Sequence, residues 1–145
     1  MKITIINGPN LNLLGRREPE KYGHSSFEEY FSILKSRYSD IIFDYYQSNI
    51  EGEIINEIQK RGFSEAGIIL NAGGYSHTSV SIGDAISAVK SPVIEVHITN
   101  ISAREDFRHT SLIGRSCAGS ISGFGLDSYR LAVEALIGLS NTKIL

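Results

Sequence analysis

Ala66-Gly67-Ile68-Ile69-Leu70 is a short, continuous apolar run, and the polar loop Asn71 to Thr78 follows it at once. A run of this length suits a strand buried on both faces, the situation of strands in a parallel sheet. The spacing next predicts a helix from about Ser79 to Val89 and a strand from Pro92 to Ile98. Strand, loop, helix and strand form one unit.

The same unit recurs in both directions. Upstream, Lys2 to Ile6 is rich in β-branched residues and stops at the turn-forming Asn7-Gly8-Pro9-Asn10. A long polar loop to about Ser25 follows. From Ser26 to Tyr38 the apolar positions Phe27, Tyr30, Phe31, Leu34 and Tyr38 recur at helical spacing, with Ser25 or Ser26 and then Glu28 and Glu29 as a start signal. Ile41 to Tyr46 reads as a strand, and Glu53 to Arg61 as a helix with Ile54, Ile55 and Ile58 on one face, ending at Gly62. Downstream, a polar stretch around Asn100 to Arg115 leads to a small-residue strand near Ala118 to Ser122, a Gly-Phe-Gly turn, and a last helix from Leu126 to about Leu139. Five strands alternating with helices predict an α/β fold: a flavodoxin-like, doubly wound, five-stranded parallel sheet with helices on both faces. Ligands bind beyond the carboxyl ends of the strands in such a fold.

A chain of 145 residues fits one domain, here 1–145, with one substantial core. Its 41% hydrophobic and 21% charged residues are those of a folded globule. The net charge of −2 argues against nonspecific binding to nucleic acid or acidic membranes. The single cysteine, Cys117, reads as a small apolar filler and forms no internal disulfide. No apolar run approaches a membrane span, and Ile3 to Ile6 is too short for a secretory signal, so a cytoplasmic protein is expected.

The chemically expensive residues fall just after strands. Asn10, Arg16, Arg17 and Tyr22 follow the first, Asn71 and His77 the third, and His97, Thr99, Arg104 and Arg108 end or follow the fourth. Tyrosine is a poor base at neutral pH unless nearby cations favour its phenolate, and Arg16, Arg17 and Lys21 can supply that field to Tyr22. Taken alone, the segment also reads as a solvated basic loop. Glu95 and His97 share one side of a strand, so the carboxylate can orient the imidazole and hold it protonated, as a general acid requires. An isolated Glu-x-His equally suits a structural ion pair. Asn71 to Ser79 combines glycines, hydroxyls and a helix start, which fits an anion or polyol cradle or a capped turn. Asp84, inside the third helix beside Ile82, Ala85 and Ile86, suits either a contact with a partner subunit or an exposed helix position.

Other chemistries lack their signatures. His24, His77, His97 and His109 have no zinc-like spacing, so no metal is expected. Gly8 to Gly15 is followed by no Gly-Lys-Ser/Thr, and Gly123-Phe124-Gly125 lacks a third glycine. Ser76 and Ser79 lack a Gly-x-Ser-x-Gly elbow.

Together, Ile6 to Pro19 (Ile-Asn-Gly-Pro-Asn-Leu-Asn-Leu-Leu-Gly-Arg-Arg-Glu-Pro) with Tyr22-Gly23, Asn71-Ala72-Gly73-Gly74 through His77-Thr78-Ser79, and Glu95-Val96-His97-Ile98 closely resemble the type II 3-dehydroquinate dehydratases. The likeness extends through Arg104-Glu105 and Arg108-His109 to Gly123-Phe124-Gly125. It implies anti elimination of water from 3-dehydroquinate to 3-dehydroshikimate through an enolate, a shikimate pathway step of aromatic amino acid biosynthesis, with neither metal nor cofactor. Tyr22 is then the base that takes the proton beside the ketone, and Arg17 the cation that favours its phenolate. Asn10 positions a water or group on the enolate oxygen. His97 is the acid on the departing hydroxyl, oriented by Glu95. Asn71, His77, Arg108 and the backbone of Ile98 and Thr99 hold the substrate. Asp84 reaches a neighbouring subunit's site in a dodecamer of trimers. Three positions depart from the pattern: Thr99 where serine is usual, Ser76 where threonine is usual, and Gly83 where arginine is common.

Two other readings stay open at this point. One is a noncatalytic flavodoxin-like module that binds a small anion. The other is imine chemistry on a lysine, although Lys2, Lys21, Lys35, Lys60, Lys90 and Lys143 sit at a terminus, on the long loop or beside helix ends.

Overall fold

The computed structural model describes residues 1–142, so Lys143 lies outside the described residues. Five strands, β1 (Lys2–Asn7), β2 (Ile42–Gln47), β3 (Gly67–Asn71), β4 (Val93–His97) and β5 (Gly119–Ser122), pair in the order β2-β1-β3-β4-β5. Every pairing is parallel. This is the flavodoxin-like order, and it reverses direction between β1 and β3, opening a crevice at their carboxyl ends.

The helices α2 (Phe27–Arg37), α3 (Glu51–Arg61), α4 (Val80–Ala88) and α5 (Asp127–Asn141) lie where the periodicity predicts, with ends displaced by a residue or two. Their starts have local causes. The Ser26 hydroxyl accepts from the Glu29 amide at 3.2 Å and the Ser79 hydroxyl from the Ile82 amide at 3.0 Å, each satisfying a donor the helix cannot.

Alternation along the strands divides the core between the two faces of the sheet. Ile3, Ile5, Ile69, Ile94 and Val96 pack with Phe27 and Leu34 of α2 and with Tyr129, Val133 and Leu136 of α5. Ile6, Ile68, Leu70 and Val93 pack with Ile54 and Ile58 of α3 and Ile82 and Ile86 of α4. Truncating one of these side chains to alanine removes about 2–5 kcal/mol. At the amino-terminal edge of the sheet, Lys2 and Arg61 pair with Asp44, and Arg61 also holds Glu57, tying α3 to β1 and β2. Gly83 is buried on α4, and a Cβ there would sit 3.4 Å from the Leu112 carbonyl oxygen. The departure at this position thus faces the chain's own loop.

The segment after β1 is more ordered than a polar loop. It holds a 3-10 turn at Leu11–Leu13 and a one-turn helix, α1 (Pro19–Tyr22), absent from the periodicity reading because so short a helix offers no repeat. Pro19 starts the helix, and Gly23, at φ 85°, ends it in a conformation that favours glycine. Buried Leu11 and Leu14 anchor the segment to the core.

Candidate active site

The carboxyl ends of β1, β3 and β4 enclose a cleft of about 110 Å³. The segment after β1 contributes Asn10, Arg17 and Tyr22 to its walls. Asn71 and His77 come from β3 and the turn after it; His97, Ile98, Thr99, Arg104 and Arg108 come from β4 and its loop. Residues up to 99 positions apart in sequence, Pro9 and Arg108 at the extremes, therefore share one crevice.

Glu95 stands behind this wall, 1% exposed. The His97 ring donates from Nε2 to Glu95 Oε1 at 2.7 Å. Its other nitrogen, Nδ1, is left for the cleft. Burial pushes the Glu95 carboxyl up, but hydrogen bonds from His97, Ser111 and Ser120 and the charge of His97 outweigh it, holding the group below the usual glutamate value. The carboxylate therefore stays ionised beside the imidazole. His77 lies nearly parallel to His97, ring centres 5.9 Å apart, and donates from Nδ1 to the Thr110 carbonyl at 2.8 Å.

Tyr22 meets two arginines. Arg17 lies over its ring, the guanidinium carbon 5.0 Å from the centroid. The hydroxyl itself is reached by Arg104, whose Nη1 donates to it at 3.0 Å and also contacts the Thr99 hydroxyl at 3.3 Å. A guanidinium aimed at the phenol oxygen stabilises negative charge there more directly than one over the ring face.

The floor is braced from below. Asn71 is 3% exposed, and its Nδ2 donates to the Tyr129 hydroxyl at 2.9 Å, which in turn donates to Asn7 Oδ1 at 2.7 Å. The Asn71 Oδ1 accepts from the Gly73 amide at 3.2 Å, so both ends of this side-chain amide are held. Asn10 takes the left-handed conformation, φ 70°, that asparagine tolerates better than most residues, and its amide donates to Asn49 Oδ1 at 3.0 Å. Arg108 donates to Glu105 at 2.8 Å.

Of the residues that the family resemblance assigns to the site, only Glu95 and Asp84 do not line the cleft; Arg16 and Lys21, the other cations near Tyr22 in sequence, do not line it either. Asp84 is exposed on α4 and has no ion pair among the described residues. Arg104 stood out in the sequence only for its place after β4. Asn49, Ser111 and Ser120 did not stand out, because each acts on a residue far away in the chain. No lysine among the described residues lines the cleft, and none of their His, Cys, Asp and Glu side chains form a group of three or more placed to hold a metal.

A tyrosine hydroxyl under a guanidinium, opposite a carboxylate-braced imidazole, can move protons in both directions. Known proteins have chains similar to this one. The family described as Dehydroquinase class II matches residues 1–137. A 3-dehydroquinate dehydratase of an Exiguobacterium species is 52% identical over 138 residues, covering 94% of both chains. One from Fusobacterium nucleatum is 52% identical over 147 residues, covering 97% of this chain and 99% of its own. A type II dehydroquinase from Butyrivibrio crossotus has a crystal structure that superposes with a TM-score of 0.91 at 43% identity, covering 94% of this chain and 97% of its own. With sequence and overall fold similar over nearly its whole length, the chain belongs to the class II dehydroquinase family.

Proposed function

We propose that this chain is a 3-dehydroquinate dehydratase, a hydro-lyase that removes water from 3-dehydroquinate to give 3-dehydroshikimate in the shikimate pathway. Tyr22, as phenolate, takes the proton from the carbon beside the ketone. The electrons of that C–H bond become the enolate. Asn10 supports the enolate oxygen, directly or through a water. The enolate then re-forms the ketone as the ring carbon–oxygen bond breaks, and His97 gives its proton to the departing hydroxyl, which leaves as water. Glu95 keeps the imidazole oriented for that transfer. Arg17 and Arg104 favour the phenolate before the first step, and Asn71, His77, Ile98, Thr99 and Arg108 hold the substrate's hydroxyls and carboxylate.

The observation that carries the reading is the hydroxyl of Tyr22 under Arg104 in the same cleft as a His97 braced by a buried Glu95. The test is direct. Purified protein given 3-dehydroquinate should produce the ultraviolet absorbance of a conjugated enone, and no product at high enzyme concentration overturns the assignment. Borohydride added with substrate should leave activity intact, in keeping with a cleft that no described lysine lines.

The chain acts as a single catalytic domain without cofactor, in the cytoplasm. No helix among the described residues is long and apolar enough to cross a membrane. We assign it a dodecamer of trimers in which Asp84, exposed on α4, completes a neighbouring subunit's cleft. A monomeric mass in light scattering, with full activity, contradicts that assembly.

A further inference from the structure

We infer that Ser111 and Ser120 are positioning residues for the acid: their hydroxyls keep the Glu95 carboxylate ionised and aimed at His97, and so fix which ring nitrogen faces the cleft. This deepens the reading above and rests on its assignment of Glu95 and His97.

A carboxylate that is 1% exposed has little water to solvate it, so side-chain donors must take water's place. Three do so, each from a different part of the chain. Glu95 Oε1 accepts from His97 at 2.7 Å and from the Ser111 hydroxyl at 2.6 Å. Its Oε2 accepts from the Ser120 hydroxyl at 2.7 Å.

The fold builds this arrangement deliberately into two elements. Ser120 is the register partner of Glu95 across β4 and β5, so the two side chains project from the same face of adjacent strands. Although Ser120 is an exposed residue of the edge strand, its hydroxyl turns inward. Ser111 belongs to a loop pinned by the Leu112 amide on the Ser76 carbonyl at 2.8 Å. The preceding residue, Thr110, accepts the His77 hydrogen bond, so two successive residues brace both histidines of the cleft. Gly114 makes room: a Cβ at that position would lie 2.7 Å from Glu95 Oε2.

The titratable groups facing the carboxylate are His97 on β4 and the thiol of Cys117, which burial and then the Glu95 charge push up to about 12 and which therefore stays neutral. Ser111 and Ser120 are thus the neutral donors set against burial. Without them burial gains ground, Glu95 takes up its proton at higher pH, and the ion pair with His97 collapses earlier on acidification.

The experiment is the pH profile of kcat for Ser120→Ala, Ser111→Ala and the double variant. The acid limb should move up by about one pH unit in each single variant and further in the double, with KM near neutral pH little changed. Ser120→Thr, which keeps the hydroxyl, should restore the limb. Ser111 also accepts from the Gly114 amide at 3.0 Å and shapes its loop, so Ser120, whose hydroxyl makes this one bond, is the deciding position. The carboxyl carbon resonance of Glu95 in ligand-free protein reads the same titration without turnover. A uniform fall in kcat at every pH, or an unmoved Glu95 titration in Ser120→Ala, overturns the inference. An inactive native enzyme would instead overturn the dehydratase reading, and the resonance titration would still decide the role of the two serines.

Discussion

Arg104 donates to the Tyr22 hydroxyl at 3.0 Å across 82 positions of sequence, while Arg17, five residues from that tyrosine, lies over its ring at 5.0 Å. The two cations therefore meet the proposed base differently, one at its oxygen and one at its ring face. Tyr22→Phe should lower kcat by about 100-fold or more, the usual contribution of a general base. Arg104→Ala and Arg17→Ala should each lose most of kcat while part of substrate binding survives, with the larger loss at Arg104. Steady-state kinetics check this, and near-normal turnover in Tyr22→Phe would remove it as the base.

The Tyr129 hydroxyl is shared between Asn71 and Asn7 inside the core. Tyr129→Phe leaves both asparagines short of a partner, at a cost of about 1–3 kcal/mol in urea unfolding. Because Asn71 loses its brace, KM should rise as well. A stability loss with no change in KM would mean that Asn71 needs no support from below.

Asn49 holds the Asn10 amide and also accepts from Gln47 at 3.2 Å, so one side chain fixes the left-handed turn that opens the site. Asn49→Ala should reduce kcat by about tenfold through misplacement of Asn10. The thermal midpoint should fall only slightly, since Asn49 is exposed. Unchanged kcat would separate Asn10 from this contact.

Acid should unfold the protein through particular carboxylates. Hydrogen bonds from Lys2 and then Arg61 hold Asp44 below its usual value, and the donors around Glu95 outweigh burial to do the same there. A group whose value is lower when folded stabilises the fold fully above its ordinary value, 4.5 for glutamate, and loses that contribution as pH falls through the lowered one. Thermal midpoints should be flat near neutral pH and drop below about pH 4.5, and Glu95→Gln should shallow the drop. An identical acid profile in that variant would assign the effect elsewhere.

Cys117 should be inert. With its thiol pushed up to about 12, first by burial and then by the charge of Glu95, almost no thiolate exists at neutral pH. Iodoacetamide should label the native protein far more slowly than the unfolded chain. Equal rates would show that the site opens readily.

The fold was readable because its signals are local and repeated. Ile68, Ile69 and Leu70 announce a doubly covered strand, and Ile54 and Ile58 a helix face, without reference to distant residues. The meeting of Tyr22 and His97 in one cleft was readable from residue type, place at or after a strand end and the family resemblance. What escaped was contact between remote segments: Arg104 on Tyr22, Ser120 on Glu95, Asn49 on Asn10. Sheet register and loop path create these pairs, and neither has a period in the sequence. The helix Pro19–Tyr22 escaped for a different reason, since four residues make a single turn and show no repeat.

Tyr22, the proposed base, sits on a four-residue helix with no buried residue, whereas His97, the proposed acid, ends a strand buried at every position. The two halves of the site are therefore unequally tied to the survival of the fold. Substitutions around Tyr22 can alter turnover or substrate preference while folding proceeds as before, but those around His97 disturb core and chemistry together. Laboratory evolution of this scaffold should accordingly accumulate its tolerated changes on the side of the base and leave the side of the acid nearly untouched.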